Sequence, residues 1–160
     1  MSKVNDVSPS IAAMQGEWKL VEALMAGTKA MRALGELALP KWPNEDPDAW
    51  EKRRDTATLF PAYRRTVSVM SGKPFSQPLI YEPDVPPQIK DWCEDVDREG
   101  VNLHVFAAEM FAESFYGLAG ILVEAPPPIQ TGGRAPTRAE QEMAGVRPYL
   151  VRVKHDQILG

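Results

Sequence analysis

The sequence predicts a mainly α-helical fold with a small β component, an α+β class. Three observations carry that expectation. Apolar residues recur at helical spacing over several separate stretches. Short polar residues followed by proline, or by a glutamate three positions on, mark helix starts. Two brief apolar runs in the C-terminal half have the look of a strand pair. The 160 residues suffice for one domain of ordinary size, and 44% hydrophobic with 25% charged residues suits a globular chain. Fifteen prolines and eleven glycines predict short elements separated by rigid loops.

The first helix starts at Ser8-Pro9 and carries Ile11, Met14, Trp18, Val21, Leu24 and Met25 on one face, with Gly27 as its stop. Lys29 to Leu39 reads as a second, short helix, and LPKWPNEDP as a proline-bound loop. Asp46-Pro47 opens the next helix. From there Thr56, Leu59, Phe60, Tyr63, Val67 and Met70 fall on one apolar arc when each residue turns by about 100°. Pro61 lies inside that helix and removes a hydrogen bond, so a kink or a break is expected there, with Gly72 ending the element. Residues 73–88 read as an irregular proline-rich connection. Ile89, Trp92, Cys93 and Val96 then form a short amphipathic helix ended by Gly100. Asn102 caps a helix over 103–117 whose apolar arc includes Leu103, Phe106, Met110 and Phe111. Ala119 to Glu124 is expected as a buried strand and Tyr149 to Val153 as a half-exposed one that can pair with it. Between them, Thr137 and Glu140 form a capping box for a short helix ending at Gly145. The domain organisation expected is a helical region at 1–72, the connection at 73–88, and helices with short strands at 89–160.

Composition narrows the chemistry. One cysteine, Cys93, cannot form an internal disulfide or a zinc site by itself, which fits a reducing cytosolic compartment. The two histidines, His104 and His155, leave little room for multi-histidine catalysis. No apolar run approaches the ~20 residues that span a bilayer, and the first ten residues lack the apolar core of a signal peptide.

Five features of the sequence are candidate sites. DVDREG at Asp95–Gly100 resembles the start of a calcium loop, but Phe106 stands where a bidentate glutamate is needed, so a solvated acidic turn is the better reading. Glu109 and Glu113 stand one helical turn apart, yet neither histidine has a spacing that completes a ligand pattern with them. The loop TGGRAPT, 131–137, precedes a helix but does not match the phosphate-loop signature. Cys93 lies on an apolar arc, where packing is its usual role. The fifth feature is charge. Arg53 to Pro78 carries +4 (four arginines, one lysine, one aspartate) in a chain of net charge −4. Segment 82–99, with seven acidic and two basic residues, carries −5. Arg53, Arg54, Arg64 and Arg65 are therefore the candidate contact residues, toward DNA or toward acidic groups within or between subunits. Aromatic residues are not interleaved on their face, so base stacking finds no support.

Several stretches in this order resemble a tailed-phage family that carries a domain of unknown function and is usually assigned as portal or portal-like. They run from Trp18 through GTKAMRALGE, LPKWPNED and RRDTATLFPAYRRTVSVMSGKPFSQP to DREGVNLHVFAAEMFAESFYGLAGILVEAPPP and TRAEQEMAGVRPYLVRVKHDQILG. The resemblance implies a structural, non-enzymatic subunit of a head–tail connector ring through which double-stranded DNA is packaged and ejected. Implied partners are further copies of the chain, the terminase and head–tail adaptor proteins, in a virion or the bacterial host cytoplasm, without a membrane. It implies no catalytic residue, cofactor or metal. The matching pieces correspond to the N-terminal portion of longer family members, so an incomplete domain, a fragment or truncated prophage product, is expected. The alternative is a small helical binding or regulatory protein that contacts nucleic acid or an acidic partner through the basic helix 53–65.

Overall fold

A computed structural model describes residues 6–127, 129 and 132–159. The expected class is observed: the described residues form seven α-helices and one two-stranded antiparallel sheet. The order is α1 (Pro9–Ala26), α2 (Thr28–Ala33), α3 (Pro47–Thr56), α4 (Ala62–Gly72), α5 (Pro87–Cys93), α6 (Leu103–Glu113), β1 (Gly120–Glu124), α7 (Arg138–Met143) and β2 (Tyr149–Val153). Single tight helical turns stand at Gly35–Leu37, Ser114–Tyr116 and His155–Gln157.

The helix starts follow from capping chemistry. Ile11 N–H donates to Ser8 Oγ at the head of α1, and the amides of Asp48 and Ala49 donate to Asp46 Oδ1 at the head of α3. Val105 N–H donates to Asn102 Oδ1 at α6. Thr137 and Glu140 form the reciprocal capping box of α7. At the other end of α6, Gly117 takes φ 103°, a left-handed turn that a side chain would strain. The expected helix 103–117 therefore stops at Glu113 and tightens into one further turn. Likewise the helix expected over 29–39 is α2 plus the turn at Gly35–Leu37.

The expectation of one apolar arc from Thr56 to Met70 is corrected. Pro61 breaks the helix outright: α3 ends at Thr56, residues 57–61 are not helical, and α4 starts at Ala62. A helical wheel loses its phase across such a break. Val67 is buried and Tyr63 half-buried, whereas Phe60 is 77% exposed and Met70 is exposed as well. β1 is corrected too. It pairs with β2 in the register Gly120↔Val153 to Glu124↔Tyr149, but Ile121, Leu122 and Val123 are all exposed. A strand in a two-stranded sheet has no second layer to cover it here. β2 is largely half-buried, as its alternation suggests.

The main core lies where Val96, Phe106 and Met110 meet Val101, Leu103, Ala119 and Leu150. α4 packs on α6, and α1 packs on α2, α4 and the turn at Ser114–Tyr116. Tyr63 of α4 donates its hydroxyl to the Phe115 carbonyl at 3.0 Å. α3 buries no side chain fully and is held by polar contacts instead. Trp50 Nε1 donates to the Leu39 carbonyl, Arg32 Nε to the Ala57 carbonyl, and Leu59 N–H to Thr28 Oγ1. The result is a chain with a thin core and a large surface.

Candidate functional site

The four arginines part company in the structure. Arg53, in the last turn of α3, forks onto Glu45 with both contacts at 2.8 Å and also donates to the Pro40 carbonyl. That bidentate pair, joined by Trp42 N–H, closes the loop before α3 and pulls the Glu45 carboxyl down to about 2. Arg54 pairs with its neighbour Asp55 and lies over the Trp50 ring, 5.2 Å from its centroid. Arg64 and Arg65, on α4, are exposed, and their side chains make no hydrogen bond or ion pair among the described residues. Of the alternatives open to these arginines, Arg53 and Arg54 take acidic groups of the same chain, at positions 45 and 55 and not in segment 82–99. The acid of segment 82–99 that meets an arginine of this chain is Asp95, paired with Arg147 at 2.6 Å.

The acidic turn Asp95–Gly100 spends its carboxylates on its own backbone. Asp97 Oδ1 accepts from the amides of Glu99 and Val101, and Asp95 Oδ1 from Gly100. Burial pushes the Asp97 carboxyl up, but these amides outweigh it and hold the group below its ordinary value. The turn needs left-handed backbone at Arg98 and Gly100, and its Val96 bridges to Val101 and to Leu150 of β2. It therefore seats the sheet on α6. Among the described residues no group of three or more His, Cys, Asp or Glu is placed to hold a metal ion. Of the loop 131–137, Thr131 lies outside the described residues, and Arg134 forks onto Glu140, the capping-box residue of α7. Cys93 is a half-buried free thiol on α5, beside a small apolar hollow lined by Trp92, Val96 and Leu150.

A cluster that the sequence did not disclose lies around His155. Its ring is 7% exposed and both ring nitrogens meet carboxylates: Nδ1 lies 2.7 Å from Glu113 of α6, and Nε2 3.1 Å from Glu22 of α1. A carboxylate only accepts, so both nitrogens donate and the ring is the imidazolium. Tyr116 stacks on it at 4.2 Å with planes 4° apart, and Trp18 meets it edge-on at 5.0 Å. Burial lowers the His155 pKa, but the hydrogen bonds to Glu113 and Glu22 outweigh it, and the net shift is upward. Burial next to Glu113 and Glu22 raises the Tyr116 hydroxyl.

Glu113 is thus joined to His155 by a hydrogen bond that the sequence spacing did not suggest. Glu109 is tied to Arg152 of β2. Both glutamates border a cavity of about 550 Å³ that Met25, Tyr116, Arg152 and Lys154 also line. The arrangement is a clasp: Glu22 and Glu113 share the imidazolium, and Glu109 faces Arg152. It bolts α1, α6 and the turn after β2 together. No spacing rule finds it, because Glu22 and His155 stand 133 residues apart. The one local signal was an ionisable residue two positions past an alternating strand. No family model and no curated protein sequence matches the chain.

Proposed function

We propose that this chain is a structural phage component, the N-terminal part of a portal-like head–tail connector that works as an assembled ring around DNA. The ordered resemblance supplies the family. The observation that carries the assembly reading is surface: the chain exposes 11602 Å², against about 8,000 Å² for a compact monomer of 17.8 kDa. Phe60, Val69, Met70, Ile80 and Val123 are large apolar side chains among those left in water. Such surface suits a subunit that becomes fully covered only in an assembly. Polar groups that would do chemistry are spent on structure, as at Glu45, Asp97, Glu109 and Glu113, which suits a non-enzymatic role. Light scattering and negative-stain electron microscopy of the chain, and of the product of its complete reading frame, test the proposal. Rings are the expected result, and a monomer that persists at the highest attainable concentration overturns it.

A second reading rests on Arg64 and Arg65, which are exposed and whose side chains have no ion-pair partner among the described residues. A small helical protein that uses them on nucleic acid would release about two counterions, for a slope near −1.8 in log affinity against log salt. Filter binding to duplex DNA with Arg64→Ala and Arg65→Ala decides it: the slope falls toward zero if the reading holds. No binding by the wild-type chain at low salt removes it.

A further inference from the structure

We infer that the exposed face of α4 is one half of a head-to-tail contact between copies of this chain, and that the acidic, apolar segment 79–91 of the next copy is the other half. The inference rests on the assembly reading above and says which surfaces meet.

On α4, Arg65, Thr66, Val69 and Met70 line a shallow groove of about 340 Å³, and Phe60 of the unwound segment contributes to it. These side chains are exposed, whereas Val67 of the same helix is buried. The groove combines exposed apolar side chains with Arg65, whose side chain makes no ion pair among the described residues, and exposed Lys73 follows at the end of the helix. A matching surface must be exposed, apolar and acidic. Segment 79–91 is all three. Leu79, Ile80 and Ile89 are exposed, Ile80 at 94%, and Glu82, Asp84 and Asp91 make no ion pair among the described residues. Among the described residues no ion pair joins the two surfaces within one chain, and Phe60, Val69, Met70 and Ile80 remain exposed.

Two different patches that complement one another make a heterologous contact, which repeats from copy to copy and closes when the rotation allows. An ordinary contact covers about 800 Å² on each partner, and the chain as a whole exposes about 3,600 Å² more than a compact monomer of its mass. Duplex DNA is the competing occupant for Arg65, but a phosphate backbone has no use for Phe60, Val69 and Met70 in the same groove.

Sedimentation velocity over a concentration series, with the folded state of each variant checked by circular dichroism, tests the contact. Every substituted side chain is exposed, so folding is expected to survive. Arg65→Glu and Val69→Asp are each expected to weaken self-association by about tenfold or more. Adding Glu82→Lys or Asp84→Lys to Arg65→Glu is expected to restore it to within about threefold, since the swapped pair again attracts. A chain that associates but is indifferent to Arg65→Glu and Val69→Asp overturns this contact and leaves the assembly reading standing. A wild-type chain that never associates overturns both. Loss of duplex-DNA binding in Arg65→Glu with unchanged self-association assigns the arginine to DNA and also overturns the contact.

Discussion

Replacing His155 with phenylalanine keeps a flat ring between Tyr116 and Trp18 but removes both N–H donors. Glu113, with a side chain 21% exposed, then loses its cation in a partly dry site. A hydrogen bond to a charged group is worth about 1.5 to 3 kcal/mol, and the Glu113 bond at 2.7 Å belongs in that range. Glu22 is half exposed, so its bond at 3.1 Å is screened and adds less than about 1 kcal/mol. The expected loss is about 3 kcal/mol, which for a chain of this length lowers Tm by about 6 to 12 °C. The pH dependence is the sharper readout. The folded chain holds the His155 proton above the ordinary value of 6.5, more tightly than the unfolded chain does. The clasp therefore stabilises fully below about pH 6.5 and its contribution fades as pH rises through the folded value. Thermal unfolding of wild type and His155→Phe from roughly pH 6 to 9 should show a gap that narrows with rising pH, because the variant has no such proton to lose. His104 is present in both proteins and cancels in the difference. A gap that stays constant, or widens, refutes the imidazolium clasp.

Four further outcomes follow from local geometry. The Glu45 carboxyl titrates near 2 in the folded chain against an ordinary 4.5, so its pair with Arg53 stabilises above about 4.5 and is lost as pH falls toward 2. Glu45→Gln should therefore flatten that acid-side loss of Tm. Thr137→Ala removes the cap of α7, worth about 1 kcal/mol, and should speed amide exchange over Arg138–Met143 roughly fivefold. A Cβ at Gly120 would stand 3.2 Å from Val153 Cβ and 3.3 Å from Ile158 Cδ1. Gly120→Val should accordingly cost about 1 to 3 kcal/mol in denaturant unfolding. Tyr63→Phe deletes the bond from α4 to the Phe115 carbonyl and should cost about 1 kcal/mol by the same measurement.

Local chemistry was legible and long-range pairing was not. Ser8, Asp46, Asn102 and Thr137 announce their helices because a cap is settled within three or four residues. The strand pair was legible for a similar reason: alternation and branching are local, and the two runs had no competing partner in the sequence. The burial of β1 was not legible, because it depends on whether a second layer exists, and a run such as GILVE reads the same either way. The arc through Phe60 failed because Pro61 resets the helical phase, so residues on its two sides do not share a wheel. The arginines showed the limit of charge counting. Arg53 chose Glu45, eight residues back across a loop, over a far richer acidic segment, because a fork needs one carboxylate at the right place and not a high average charge. The His155 clasp joins three elements distant in sequence and leaves no periodic trace.

The clasp also fixes an order of events during synthesis. Glu22 and Trp18 sit in α1, while the histidine that meets them is 133 residues further along the chain from Glu22. At about 5 to 20 residues per second, α1 waits about 7 to 27 s on the ribosome before its ring partner exists. Over that interval Trp18 has no imidazolium to meet and Glu22 has no cation there to bind. The nascent chain thus presents an apolar, partly acidic helix to its surroundings for longer than most helices need to fold. Chaperone capture, or premature contact with a neighbouring nascent chain on the same messenger, has its widest opening in that window.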